Sequence, residues 1–87
     1  SKSNLDGQHY DQELDARTLT CPMPLLKTRQ ALRHMEAGDV LVVLASDAGS
    51  WADIPAYVRQ SAHRLVHCER ADAEFRFWIE VGEQSDG

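Results

Sequence analysis

The stretch Val40-Leu41-Val42-Val43-Leu44-Ala45 is the longest apolar run in the sequence, and it decides the fold. Its aliphatic side chains, half of them β-branched valines, are typical of a central strand that is buried on both faces or nearly so. A membrane-spanning helix needs ~20 apolar residues, so this run is too short to cross a bilayer. We therefore predict that it forms the central strand of a sheet.

A helix is predicted before this strand, starting near residue 25. Leu25, Leu32 and Met35 recur at helical spacing and form one apolar stripe. Gly38 follows the last turn, where a glycine in the left-handed conformation commonly ends a helix. Residues 13–16, upstream of the helix, are predicted to form a short first strand.

A second helix is predicted after the central strand, over about residues 53–62. The turn-forming residues 46–50, Ser-Asp-Ala-Gly-Ser, separate it from the strand. Ser50 and Asp53 have the spacing of a capping box and indicate an early helix start. Pro55 indicates a later start, because a proline beyond the first turn removes a backbone hydrogen bond. The two signals disagree by a few residues, and we follow the proline.

The last third of the chain has the two-residue period of β-strands. Phe75, Phe77 and Ile79 alternate with polar residues and with Trp78, which places Trp78 on the more solvated face. Stretches 65–70 and 74–81 are predicted to form a hairpin joined at residues 71–73. The element order βαβαββ then predicts an α/β two-layer sandwich, in which a four-stranded mixed sheet carries both helices on one face.

The 87 residues, with a mass of 9.8 kDa, are predicted to form one domain over residues 13–82. The polar, aperiodic ends are predicted to be tails: residues 1–12, expected to be flexible, and residues 83–87. Fourteen acidic residues against nine Lys and Arg give a net charge of −5, which argues against direct nucleic-acid binding. No signal-peptide pattern is visible, and two cysteines make no disulfide framework, so we expect a cytoplasmic protein without a membrane segment.

Cys21 is the candidate nucleophile of the chain. It lies where a loop turns into the first helix, and a helix N-terminus favours a thiolate over a thiol. Pro22 fits the first helical position and Pro24 the third, so two rings hold the sulfur while removing two amide donors. A thiolate that is not over-stabilised stays nucleophilic. From its position alone, a buried and inert cysteine is an equally good interpretation.

The segment around Cys21 is basic. Residues 16–35 contain no acid and carry a charge of +4, from Arg17, Lys27, Arg29 and Arg33. We expect this field to stabilise a thiolate or persulfide anion and to attract an acidic partner surface. Taken alone, however, a basic helix face is more typical of a solvated surface than of a docking patch.

The sequence resembles the TusA/SirA-like sulfur-carrier family. The family pattern is Leu-Asp-x-x-Gly-Leu-x-Cys-Pro-x-Pro, then a helix, a glycine turn, a strand and an Asp-x-x-x-x-x-Asp-Ile-Pro motif. The matching residues are Leu14, Asp15, Leu19, Cys21, Pro22, Pro24, Gly38, Asp47, Asp53, Ile54 and Pro55. The match covers about residues 13–81. Thr18 stands where the family has glycine, which affects the loop before the cysteine but leaves the nucleophile in place.

The resemblance implies a sulfur relay, a persulfide carrier rather than a stand-alone enzyme. Cys21 would accept sulfane sulfur from a cysteine desulfurase or rhodanese and pass it to an acceptor protein, without a cofactor. The implied destinations are tRNA thiolation, molybdenum-cofactor assembly and sulfur oxidation. With the resemblance, docking of partners becomes the better interpretation of a set of surface residues: Arg17, Lys27, Arg29, Arg33, Asp47 and Trp51.

Two alternatives stay open at this point. One is a regulatory or adaptor module that acts by protein contacts alone, and the weaker one is a redox sensor that uses Cys21 and Cys68. We expect a monomer, since a carrier need not assemble.

Other titratable residues have ordinary structural interpretations. Asp53 is expected to cap the second helix and Asp47 to shape the turn before it, with an acid/base pair as the less favoured alternative. Cys68 is expected to be a packed core thiol rather than a redox partner of the first cysteine. The set formed by His63, His67 and Cys68 lacks a fourth ligand, so a zinc site is not expected.

Overall fold

The computed structural model describes residues 3–5 and 8–83 of the chain. In this part of the chain, six strands and two helices follow one another: β1 (Ser3–Leu5), β2 (Gln8–Tyr10), β3 (Gln12–Ala16), α1 (Met23–Arg33), β4 (Val40–Ala45), α2 (Ser50–Arg59), β5 (Arg64–Ala71) and β6 (Glu74–Glu80). The last six elements form the predicted α/β two-layer sandwich with its βαβαββ order.

The sheet is built around β4, as the apolar run predicts. The strand order is β3-β4-β6-β5, and β4 runs parallel to β3 and antiparallel to β6. Val43 lies opposite Leu14 on one side and Phe77 on the other. Leu41–Ala45 are all buried, because side chains on both faces of this strand are covered.

Both helices cover the same face of the sheet. Leu32 of α1 and Ile54 of α2 are completely buried against Val43 and Phe77 of the central strands. Burying a large aliphatic or aromatic side chain stabilises a fold by roughly 1.5–3 kcal/mol, so this layer supplies most of the core energy of a small chain. The buried residues of this cluster are Leu32, Met35, Leu41, Val43, Ala45, Ile54, Val58, Phe75, Phe77, Ile79 and Val81.

The opposite face of the sheet is covered as well, and the prediction of a solvated Trp78 is wrong. Trp78 is 0% exposed and packs with Val42 and Leu44, against which Tyr10 of β2 also packs. The ring of His67 meets the Trp78 indole edge-on, with centroids 5.0 Å apart. The alternation assigned Trp78 to the correct face, but it carried no information about what covers that face.

The described part of the predicted N-terminal tail contains two short strands. Within residues 1–12, β1 and β2 pair antiparallel, with Asn4 opposite His9, and β3 begins at Gln12. At the other end, residues 84–87 of the predicted tail lie outside the described residues. The boundaries of the predicted domain and the flexibility of its ends stay predictions.

Both helices begin at residues other than those predicted. α1 starts at Met23, which is before the start near residue 25 that its apolar stripe predicts but one residue after the start at Pro22 that the prolines predict. Pro22 is therefore the N-cap residue and Pro24 the second helical residue. α2 starts at Ser50, and Pro55 lies inside the helix as its sixth residue, so following the proline was wrong. Gly38 has the expected positive φ, +97°, but it lies beyond the end of α1, where its N–H donates to the Val81 carbonyl.

The hairpin of β5 and β6 forms the second edge of the sheet. The register shifts between Leu65 and His67, and Cys68 lies opposite Phe77. Cys68 is exposed, so the prediction of a packed core thiol is wrong. Its strand has only one neighbour in the sheet, and burial along an edge strand is therefore incomplete.

In the described part of the chain, neither helix is long and apolar enough to span a membrane.

Candidate functional site

Cys21 lies at the junction between the loop after β3 and the start of α1. Its side chain is exposed, and its Sγ–H donates to Oδ2 of Asp53 on α2, with the two atoms 3.5 Å apart. The Cys21–Pro22 peptide bond is cis. The site is thus a surface thiol in contact with a carboxylate from the neighbouring helix.

The start of α1 offers few amide donors to the sulfur. Pro22 and Pro24 have no N–H, and the N–H of Met23 donates to the Thr20 carbonyl at 2.8 Å. Leu26 N–H bonds to the Pro22 carbonyl at 3.1 Å and closes the first turn. The two prolines therefore reduce the number of free amide donors at the start of α1, as predicted. Each proline lies one position earlier in the helix than expected.

The predicted capping role of Asp53 is wrong. The first amides of α2 are already occupied, because Ser50 N–H donates to the Asp47 carbonyl and Asp53 N–H to the Gly49 carbonyl. In the part of the chain that the structure describes, no side chain caps this helix. The Asp53 carboxylate is therefore available to accept the hydrogen bond from Cys21.

Asp47 shapes the turn before α2, as predicted. Its Oδ2 accepts the Gly49 N–H at 3.0 Å, which folds the side chain back over the turn. The bond also fixes this carboxylate on the side of the turn that faces the cysteine.

Gly49 is a site residue that sequence reasoning missed. A Cβ atom at this position would lie 2.9 Å from Asp47 Oδ2, 3.6 Å from Cys21 Cβ and 3.7 Å from Asp53 Oδ2. The two carboxylates and the cysteine therefore converge on the space that the missing side chain leaves open. The turn-forming stretch 46–50 signals a glycine in a loop but gives no sign of this close approach.

The electrostatics of the thiol are opposite to the prediction. The hydrogen bond to Asp53 raises the pKa of Cys21, and partial desolvation and the negative charges of Asp53 and Asp47 raise it further. The local field at the sulfur is therefore acidic, although the segment that carries the cysteine is basic.

Arg17 illustrates why the basic segment does not reach the sulfur. Its guanidinium lies 2.8 Å from Asp15 and 3.2 Å from Glu74, so its charge is already paired. The pairing lowers the pKa of Asp15 to about 2 and raises that of Arg17. The positive charge of Arg17, although close to Cys21 in sequence, is thus paired with carboxylates on β3 and β6.

The other predicted cations lie on the outer surface of α1. Lys27, Arg29 and Arg33 are exposed, and the Arg29 guanidinium lies 5.6 Å from the centre of the Tyr57 ring. A shallow cavity of about 230 Å³ follows this surface and is lined by Leu26, Arg29, Gln30 and Arg33. We call these four residues the α1 groove.

Two large apolar side chains are exposed on the first turns of α1: Met23, and Leu26 of the α1 groove. Met23 and Leu26 are each 39% exposed. Trp51, in contrast, is half-buried and packs on Phe75 and Phe77, with ring centroids 5.3 and 5.9 Å away. Trp51 is therefore only partly accessible, and its role in partner docking stays a prediction.

The remaining candidate ligands are not brought together. His63 is buried and its Nδ1 accepts the Gly82 N–H at 3.1 Å, whereas His67 contacts Glu69 at 3.0 Å. Across residues 3–5 and 8–83, no group of three or more His, Cys, Asp and Glu side chains is arranged to hold a metal ion.

The chain is similar to sulfur carrier proteins of the sulfurtransferase TusA family. A family model described as sulfurtransferase TusA matches residues 12–81. The sulfur carrier protein TusA of Allochromatium vinosum is 40% identical over 70 residues, which are 80% of this chain and 92% of that protein. A protein of Neisseria meningitidis serogroup A, named as a proposed sulfur carrier, is 39% identical over 69 residues, 79% of this chain and 93% of its own length.

A relative from Bacillus subtilis extends the same similarity. YrkI, also named as a proposed sulfur carrier, is 36% identical over 72 residues, which are 83% of this chain and 96% of that protein. The residues that the family model matches, 12–81, include both Cys21 and the turn before α2.

Proposed function

Because the chain belongs to the sulfurtransferase TusA family, we propose that it is a sulfur carrier that holds sulfane sulfur on Cys21 as a persulfide. The observation that supports this most directly is the exposed Sγ at the start of α1, where a partner can reach it. The names of the relatives support the carrier role, and the exposed cysteine in the matched motif supports its chemistry.

The transfer conserves sulfur, protons and electrons without a further reagent. The Cys21 sulfur attacks the outer sulfur of a persulfide on the donor protein, and the S–S bond of the donor breaks as a new S–S bond forms. The donor leaves with a thiol, and Cys21 keeps the persulfide. Delivery to an acceptor repeats the exchange with Cys21 as the leaving thiol.

The partners are a sulfur donor, of the cysteine desulfurase or rhodanese class, and an acceptor protein of a sulfur relay. Candidate destinations are tRNA thiolation, molybdenum-cofactor assembly and sulfur oxidation. Docking would use the exposed apolar residues Met23 and Leu26 together with the α1 groove, whose two arginines favour an acidic partner surface.

Sulfur loading tests the proposal directly. The protein is incubated with a cysteine desulfurase and cysteine, and its intact mass is measured before and after reduction. We expect wild type and Cys68→Ser to gain the mass of one sulfur atom that reduction removes, and Cys21→Ser to gain none. Cys68 is the matched control, since it is also an exposed free thiol. Equal loading of Cys21→Ser would reject the proposal.

The docking surface is tested by charge reversal. Replacing Arg29 and Arg33 with Glu should slow loading and weaken its dependence on ionic strength, because exposed charges are screened by salt. Arg59→Glu, an exposed cation at the end of α2, is the control and should load at the wild-type rate. If Cys21→Ser keeps full function in cells while the double reversal loses it, the adaptor interpretation replaces the carrier.

A further inference from the structure

We infer that Asp53 is a positioning residue that holds resting Cys21 as a neutral thiol, so that the sulfur becomes nucleophilic only when a partner neutralises or displaces this carboxylate. The inference rests on the proposed carrier role of Cys21, and it adds a regulation of that role. It assigns the reactivity of the sulfur to the complex rather than to the free protein.

The hydrogen bond is the first step of the argument. The Cys21 Sγ and the Asp53 Oδ2 are 3.5 Å apart, and an ionised carboxylate can only accept, so the sulfur must carry the proton. Ionising the thiol would remove this bond and place two negative charges in contact. The neutral thiol is therefore the form that the geometry favours.

The turn before α2 holds both carboxylates in place. Asp47 is tied to the Gly49 N–H, and the absence of a side chain at Gly49 lets Asp47, Asp53 and Cys21 meet around one point. Asp53 needs no realignment to accept from the sulfur, because loop carbonyls already satisfy the first amides of α2. The arrangement is thus built into the backbone of this turn.

The charged groups that bear on the thiol come from two elements. Asp53 belongs to α2 and Asp47 to the loop before it, and both disfavour the thiolate, in agreement with the raised pKa of Cys21. On the side of α1, Met23 N–H is bonded to the Thr20 carbonyl. Arg17, the nearest cation in sequence, is paired with Asp15 and Glu74. The charged groups that act on the thiol are therefore acidic, and we expect a compensating cation to come from a partner.

Protection of the free carrier follows from this arrangement. Oxidation of cysteine proceeds from the thiolate, so an exposed sulfur held as a thiol resists peroxide better than a thiolate does. A docking protein that presents a cation or a hydrogen-bond donor to Asp53 would remove the constraint at the moment of transfer. The Cys21 sulfur would then be weakly reactive in the free protein and nucleophilic in the complex with a partner.

Alkylation kinetics test the inference without a sulfur donor. Rates with iodoacetamide, a neutral reagent, are measured against pH in the Cys68→Ser background, so that Cys21 is the reacting thiol. Asp53→Asn should move the pH profile to lower pH and raise the rate at pH 7 by at least about threefold, after allowing for the lower nucleophilicity of a more acidic thiol. Asp53→Glu, which keeps the charge, should stay closer to wild type.

A pair of disulfide reagents, one cationic and one neutral, tests the role of the partner. Cystamine carries amines, and 2-hydroxyethyl disulfide is its uncharged counterpart. We divide the exchange rate of Cys21 with cystamine by its rate with 2-hydroxyethyl disulfide. This ratio should be lower in Asp53→Asn than in wild type, because only the cationic reagent is attracted to the Asp53 carboxylate and neutralises its charge. High salt should reduce the wild-type ratio towards that of the variant.

Asp72→Asn is the matched control for the alkylation profile and for the ratio of exchange rates. Asp72 lies in the β5–β6 turn with a φ of +54°, which asparagine also adopts, and the substitution should leave both profile and ratio unchanged. Coincident profiles of wild type and Asp53→Asn, or an equal shift in Asp72→Asn, would overturn the inference. A shifted profile in a protein that takes up no sulfur would instead reject the carrier role and keep the assignment of Asp53.

Discussion

Gly49 controls how closely the carboxylates approach Cys21. Its backbone angles, φ −62° and ψ −29°, are open to any residue, so Gly49→Ala should fold with a change of less than about 1 kcal/mol in the free energy of unfolding. The new Cβ would press on Asp47 Oδ2, which lies 2.9 Å away. We expect faster Cys21 alkylation at neutral pH, by a smaller factor than in Asp53→Asn. An unchanged alkylation profile would show that Asp47 has no influence on the thiol.

The choice of Cys21 could be made from sequence, but its electrostatic surroundings could not. The cysteine and its two prolines are contiguous, so their loop-to-helix position is a local property. Asp53, in contrast, lies 32 residues away and reaches the sulfur only because α2 packs beside α1. A count of nearby charges in sequence therefore predicted a basic field where folding brings in two acids.

At the scale of elements, β4 and its neighbours were the most predictable part of the fold. A continuous apolar run and an alternating strand report burial directly, and the sheet follows them. Helix starts were less predictable, because two local signals competed. Pro55 removes one backbone bond, to the Trp51 carbonyl, but α2 still begins at Ser50 because the loop carbonyls of residues 47–49 accept its first amides.

The edge strand β5 gives a paired prediction. Phe77 is completely buried and Cys68, its cross-strand partner, is exposed. Phe77→Ala should lower the free energy of unfolding by about 3–5 kcal/mol, whereas Cys68→Ala should change it by less than about 0.5 kcal/mol. Chemical denaturation followed by circular dichroism measures both. A comparable loss for the two variants would mean that Cys68 is packed in the core after all.

At the scale of the molecule, both faces of the four-stranded sheet are covered, although the chain is short. Two helices bury one face, and the small cluster around Trp78 lies beneath Tyr10 on the other. Among the described residues, none offers a hydrogen-bond acceptor to the buried Trp78 Nε1–H, and an unpaired buried donor lowers the stability of this cluster. Composition and periodicity could not predict the cover, because β1 and β2 are short and polar.

His63 links the start of β5 to the end of β6 and should make stability depend on pH. Its Nδ1 accepts the Gly82 N–H, so the ring is neutral with its proton on Nε2, and burial lowers its pKa below 6.5. A lowered pKa means that this contribution is complete above pH 6.5 and is lost as pH falls through the folded value. Wild type should therefore lose stability on acidification in this window more steeply than His63→Gln.

A control variant and the direction of the pH dependence complete the test of His63. His34→Gln replaces an exposed histidine at the end of α1 and should follow the wild-type curve. At pH 8, His63→Gln should be less stable than wild type by about 1 kcal/mol, since its amide can still accept the Gly82 N–H but fills the site less well. The difference should shrink as the pH falls, because protonation then removes the same bond in wild type. A difference that stays constant with pH would show that His63 does not titrate on unfolding, and that Gly82 holds this end of the sheet by packing alone.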